Sequence, residues 1–173
     1  MLDENITLRK LQMKDAMGML EWMQDKSVIK YLRIDTTNAS HERAENFIKA
    51  ANDSSKQSIH MAIVNEEDEY LGTISLKNID KKVKSAEYAI SMRSVAQGKG
   101  IAAKATRLIL EKAFQEMQMS RIYLNVLSDN QRAIMLYEKC GFKYEGEFKN
   151  HICIRGEIKS LKWYAIMKEE YFN

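Results

Sequence analysis

Hydrophobic and polar positions follow two different periods along this chain, and each change of period marks an element. Near the start Ile6-Thr7-Leu8-Arg9 alternates as a half-buried strand does, and Asp15 then offers an N-cap to a Met-rich helical stretch from Ala16 to about Gln24. Ser40 can cap a second helix reaching about Ala51, with Ala44, Phe47, Ile48 and Ala51 inward and Arg43 outward. From Ser58 the period returns to two. Ile59, Met61 and Ile63 alternate with their neighbours up to the polar turn Glu66-Glu67-Asp68-Glu69, and Leu71 to Ile79 supplies the return strand of a hairpin. A third strand, about Ser85 to Arg93, follows the turn at Asp80-Lys81-Lys82.

The middle of the chain reads as glycine turn, helix, strand, helix. Gly98 and Gly100 break the backbone, and Ile101, Ala105, Leu108, Ile109 and Ala113 form the apolar stripe of a helix ending near Met117. Ile122 to Leu127 is apolar on both faces apart from Tyr123 and Asn125, so a position inside the sheet with helices on both sides is expected. Ser128-Asp129-Asn130 supplies capping oxygens for a short helix whose Ala133, Leu136, Tyr137 and Cys140 share one face, and Gly141 ends it. Phe142 to Phe172 reads as two long strands joined near Arg155-Gly156-Glu157. A strand-helix-strand crossover among hairpin-linked strands predicts a single mixed α/β domain over residues 1–173, with a sheet of six or seven strands and helices on both faces.

Composition narrows the function classes. With 173 residues, 45% hydrophobic and 29% charged, the chain can form one core, and disordered, collagen-like and disulfide-scaffold classes are excluded. Met1 to Asn5 lacks the basic and apolar regions of a leader, and no apolar run reaches the roughly 18 residues that cross a bilayer, so a cytoplasmic protein without a membrane partner is expected. Cys140 and Cys153 are too few for a disulfide framework and no Cys/His group has metal spacing; reduced thiols and no metal are expected. A net charge of +3 does not imply nucleic acid.

Charge is instead concentrated locally. Between Gln97 and Lys112, Lys99, Lys104, Arg107 and Lys112 are opposed only by Glu111. In Gln97-Gly98-Lys99-Gly100-Ile101-Ala102 the glycines let successive N–H groups converge, and the following helix adds its positive dipole end, which suits a pyrophosphate. The spacing is neither G-x-G-x-x-G nor a P-loop.

The string Gln97-x-x-Gly100-x-Ala102 resembles the (Gln/Arg)-x-x-Gly-x-(Gly/Ala) motif of the GNAT superfamily of acyl-CoA-dependent N-acetyltransferases, and Asn130-x-x-Ala133-x-x-x-Tyr137-x-x-x-Gly141-Phe142 resembles its second signature. Many relatives carry proline three residues before the Gln/Arg, where this chain has Ser94 and indeed no proline anywhere. The resemblance implies two central parallel strands that splay apart around acetyl-CoA as co-substrate. Main-chain groups of Met92, Arg93 and Ser94 would pair with the pantetheine arm, and Gln97, Gly98, Lys99, Gly100, Ile101, Ala102 and Ala103 would form the pyrophosphate cradle. Asn130 would touch the arm while capping its helix, beside small Ala133.

Tyr137 is the candidate general acid for the leaving thiolate, and Glu87 the candidate base that takes a proton from the attacking amine. Neither cysteine is given a nucleophilic role, because the family transfers the acyl group directly. Acceptor selectivity in the family comes from the first helices and the terminal hairpin, here with Trp22, Tyr31, His151, Arg155, Trp163 and Tyr164 as wall candidates. The general layout is similar to ribosomal-protein, spermidine and amino-sugar-nucleotide acetyltransferases. Ile29 to Ser40 contains only Asp35 as an acid, which counts against a polyamine. The basic-leaning surface and the segment Gly146 to Tyr171 point to a small amine on an anionic carrier, such as a nucleotide-linked amino sugar; a protein N-terminus or a polyamine is the alternative. A non-catalytic acyl-CoA sensor is the competing class, and edge strands in the last hairpin allow a homodimer.

Overall fold

The computed structural model describes residues 5–53 and 57–172. Seven strands form one sheet: β1 (Thr7–Lys10), β2 (Ile59–Val64), β3 (Tyr70–Asp80), β4 (Ser85–Met92), β5 (Arg121–Leu127), β6 (Lys143–Ile154) and β7 (Glu157–Met167), in the order β1-β2-β3-β4-β5-β7-β6. Every neighbouring pair is antiparallel except β4 and β5. That single parallel pair is joined by the crossover helix α4 (Ile101–Glu111), whose last turn widens into a π-helical segment, Lys112–Glu116. The other helices are α1 (Ala16–Gln24), α2 (Lys26–Ile29), α3 (His41–Ala51), α5 (Gln131–Lys139) and α6 (Lys168–Tyr171). Both α2 and α6 are single turns of four residues, too short to impose a helical period on the sequence.

Period-two alternation gives the sheet two apolar faces. Ile63, Ile74 and Leu76 pack with Ile101, Ile109, Leu110 and Phe114 under α4, whereas Ala62 and Val64 pack with Met19, Trp22, Ala44 and Ile48 under α1 and α3. Phe47 departs from its expected inward position: it is partly exposed and packs edge-on against His60 at the rim.

The turn before α1 is held by a buried charge. Asp15, 1% exposed, accepts from the Arg9 guanidinium at 2.8 and 2.9 Å and from the Gln12 amide at 2.8 Å. Arg9 also donates to Asp68, so it keeps one counter-charge if Asp15 is lost. Asp15→Asn is therefore expected to destabilise the protein by about 2 kcal/mol, less than a fully orphaned buried ion pair. Thermal unfolding reads this as a melting point lowered by roughly 4–8 °C.

Candidate active site

β4 and β5 pair at only Ser85↔Arg121, Ala86↔Ile122 and Glu87↔Tyr123, although β4 runs on to Met92 and β5 to Leu127. Beyond Glu87 the two strands diverge, leaving a main-chain edge of β4 unpaired in the middle of the sheet. Which groups line that edge follows from the other side of the strand. The Arg93 amide donates to Leu71 of β3 at 2.9 Å, so the alternating ladder directs the odd residues of β4 toward β3 and the peptide edges of Tyr88, Ile90 and Met92 into the gap. The Arg93 amide, expected to pair with a pantetheine arm, thus faces β3 and not the gap. The Arg93 side chain donates to Glu21 of α1 and to Glu69, with the closest contacts at 2.7 Å, and ties α1 to the end of β4.

Past β4 the chain turns through Gly98 (φ 80°) and Gly100 (φ 79°) into α4. Both lie in the left-handed region, and a Cβ at either would meet nothing within 4 Å, so backbone conformation alone demands glycine. No side chain caps α4; the Ala103 amide turns back to Gly100 O at 3.1 Å, leaving the converging amides at Gly98, Gly100, Ile101 and Ala102. The Ala103 amide, expected to face a pyrophosphate, is thus already engaged within the turn. Gln97 acts as a brace, donating to Met92 O at 3.3 Å and accepting from Arg132 of α5 at 2.8 Å. Asn130 Oδ1 accepts from the Ala133 amide at 3.3 Å as an N-cap.

This arrangement could hold an acyl-CoA: an extended arm matches the open β4 edge, and a pyrophosphate matches uncapped amides at a helix N-terminus. Gly100→Val would force a β-branched residue to φ 79°, a conformation disfavoured by roughly 1–2 kcal/mol, and would turn the amides away. The KM for acetyl-CoA is expected to rise at least about tenfold. Gly146→Ala, at an open glycine without positive φ, should leave it unchanged.

At the point where the strands part, the ring of Tyr137 (α5) lies edge-on to Tyr88, the first unpaired residue of β4, with centroids 5.7 Å apart. The two phenols differ in freedom. Thr106 Oγ1 donates to Ala102 O at 2.6 Å, so its bond of 2.8 Å to Tyr88 uses the Tyr88 proton. The Tyr137 hydroxyl makes no hydrogen bond among the described residues, and burial pushes its pKa well above the ordinary value. Cys140, beside it, is likewise raised by burial and stays a thiol.

The opposite sheet face carries the odd-numbered side chains of β4, β5 and β7. Glu87, its side chain 12% exposed, accepts from Lys77 at 3.2 Å and from Asn78 at 2.8 Å, with Arg33 at 4.0 Å. A register shift between Lys77 and Asp80 places Asn78 at φ 49° and turns its amide onto the carboxylate. Next along β5, Tyr123 stacks on Trp163 of β7 at 6.2 Å, and Asn125 lies directly opposite Trp163 in the ladder. Asn125 Oδ1 and Trp163 Nε1 are buried polar atoms without a partner, and groups of that kind call for a ligand or water. The expectation of helices on both faces of β5 fails here, since Arg121, Tyr123 and Asn125 are only half-buried.

A glycine turn at the start of α4, a split parallel pair and a tyrosine at the split lie around one crossover, and comparison with known proteins gives the chain a family. Residues 5–143 match the acetyltransferase (GNAT) domain. The chain belongs to the GNAT acetyltransferases. Among curated relatives, the spermidine N(1)-acetyltransferase of Vibrio cholerae is 26% identical over 172 residues, covering 99% of this chain and 98% of the relative. That of Escherichia coli K12 is 27% identical over 167 residues, covering 96% and 88%. The structure of the Vibrio cholerae spermidine N-acetyltransferase in complex with CoA and spermine superposes with a TM-score of 0.88 at 25% identity, covering 97% of this chain and 98% of that one.

Within this GNAT frame, two of the sequence-based wall candidates move. Trp22 is buried under α1, where its Nε1 donates to Tyr70 OH at 3.0 Å, and Tyr164 points to the α5 side and donates to Glu138 at 3.1 Å. Trp163 stands with Glu87 and Tyr123 on the face opposite Tyr137, the split-side face, and Arg155 lies at the hairpin tip against the end of α2. Tyr123, Asn125 and Arg33 escape sequence reading, because only strand pairing sets them beside Glu87 and Trp163.

Proposed function

We propose that this GNAT enzyme transfers the acetyl group of acetyl-CoA directly to a primary amine of the polyamine class. The reading is supported above all by the character of the split-side face. Glu87 carries a carboxylate, shared with Lys77 and Asn78, for which an ammonium would compete; Asn125 adds an unpartnered carbonyl oxygen and the Tyr123–Trp163 stack an aromatic surface. Similarity over nearly the full chain to spermidine acetyltransferases agrees with it. This replaces the expectation of an amino sugar on an anionic carrier. That expectation weighed the acids of the segment Ile29 to Ser40, the basic-leaning surface and the segment Gly146 to Tyr171, whereas the present reading puts the carboxylate on β4.

The co-substrate supplies an activated thioester. Glu87 holds the acceptor ammonium and takes its proton, because the amine attacks only as the free base. The peptide edges of Tyr88, Ile90 and Met92 fix the arm so that the acyl carbon lies at the split. Tyr137, protonated throughout the physiological range, gives its proton to the departing sulfur. A thiol-release assay with spermidine, spermine, amino-sugar nucleotides and N-terminal peptides tests the reading. Spermidine and spermine are expected to give the highest kcat/KM. Turnover confined to amino-sugar nucleotides or peptides would overturn the polyamine assignment, and CoA binding with no turnover would favour the sensor.

A further inference from the structure

The segment from α2 to α3 contributes Arg33 to the Glu87 site, yet it is tied to the rest of the molecule by few polar contacts. One of them spans the chain. Arg155, at the tip of the β6–β7 hairpin, donates from Nη2 to the carbonyl of Ile29 at 2.8 Å and to that of Leu32 at 3.4 Å, and from Nη1 to Lys30 O at 3.4 Å. The Ile29 carbonyl also accepts from the Leu32 amide at 3.0 Å, so Arg155 adds a charge-assisted bond to the turn that closes α2. A planar guanidinium reaches all three carbonyls at once, which a lysine cannot.

The turn itself is shaped for this contact. With Ile154 paired to Glu157, the loop has two residues, Arg155 at φ 49° and Gly156 at φ 82°. Such turns favour Asn or Asp at the first position, so an arginine there is a backbone compromise that its side-chain contact explains. The latch joins the two walls of the acceptor face: β7 carries Trp163, and the chain just after α2 carries Arg33 beside Glu87.

We infer that Arg155 is a positioning residue that clamps the α2 end to the β6–β7 hairpin and so fixes the acceptor pocket without touching the acetyl-CoA cleft. The inference rests on the amine-acetylation reading above. Arg155→Ala and Arg155→Lys test it by steady-state kinetics with spermidine and acetyl-CoA, beside hydrogen–deuterium exchange. For Arg155→Ala the amine KM is expected to rise about threefold to tenfold, the size of one or two charge-assisted bonds lost at an exposed site, with kcat and the acetyl-CoA KM within about twofold. Amides 28–34 should exchange faster while those of α4 do not, and Arg155→Lys should fall between. An unchanged amine KM overturns the proposal even if exchange quickens, since the contact is then only structural. A raised amine KM without faster exchange also overturns it, since Arg155 would then act on the amine itself. If wild-type protein turns over no spermidine, the polyamine reading fails on that result alone. The clamp is then judged by exchange, and unchanged protection of amides 28–34 overturns it.

Discussion

Tyr137→Phe should lower kcat by about 100-fold to 1,000-fold while leaving the KM for acetyl-CoA within about threefold. The substitution removes one oxygen and keeps the ring, so the edge-on contacts with Tyr88 and Phe142 persist and folding should be unaffected. What is lost is a phenol at the split whose proton is not committed among the described residues, whereas the Tyr88 proton goes to Thr106. The pH dependence follows from the direction of the shift. Burial disfavours the phenolate, so Tyr137 holds its proton beyond the ordinary tyrosine value of about 10. Wild-type kcat should therefore show no descending limb from this group below about pH 10. Single-turnover and steady-state assays across pH 6–10 check both statements. A kcat within threefold of wild type would remove Tyr137 from the chemistry and leave it as a packing residue.

Glu87→Gln is expected to reduce kcat/KM for the amine by about 100-fold at neutral pH, with the acetyl-CoA KM unchanged. Glutamine keeps the shape and the contact with Asn78 but removes the negative charge that meets an ammonium and the oxygen base that receives its proton. It also leaves the Lys77 ammonium facing a neutral amide, which weakens the attraction of the face for any cation. The partition between constants is informative. A fall in kcat assigns proton transfer to Glu87, and a rise in amine KM alone assigns it to binding. Activity within threefold of wild type would mean that the carboxylate only anchors Lys77, Asn78 and Arg33, and that the amine loses its proton elsewhere.

Local signals placed the turn and the helix that the proposed site uses. The left-handed conformation at Gly98 and Gly100 needs glycine wherever it occurs, so the cradle is legible as a string, and the α5 signature carries Asn130, Ala133 and Tyr137 within a few turns of one helix. The element order was equally readable, because hydrophobic period and capping residues act over distances of a few positions. Errors fell where side chains meet across strands. Trp22 and Tyr164 read as acceptor walls because an aromatic residue's type does not reveal which face of an element it serves.

By itself, then, the sequence determined the mixed α/β class, the crossover around the parallel pair, the glycine turn before α4 and the helix that carries Tyr137, since each depends on backbone propensity or spacing along one element. Only the tertiary structure decided that β4 and β5 part after Glu87, that Arg93 faces β3 while Ile90 and Met92 face the groove, and that Arg155 reaches the end of α2 across 126 positions in sequence. Those outcomes depend on register and on hydrogen bonds between distant segments, which come into being only when the whole sheet has formed.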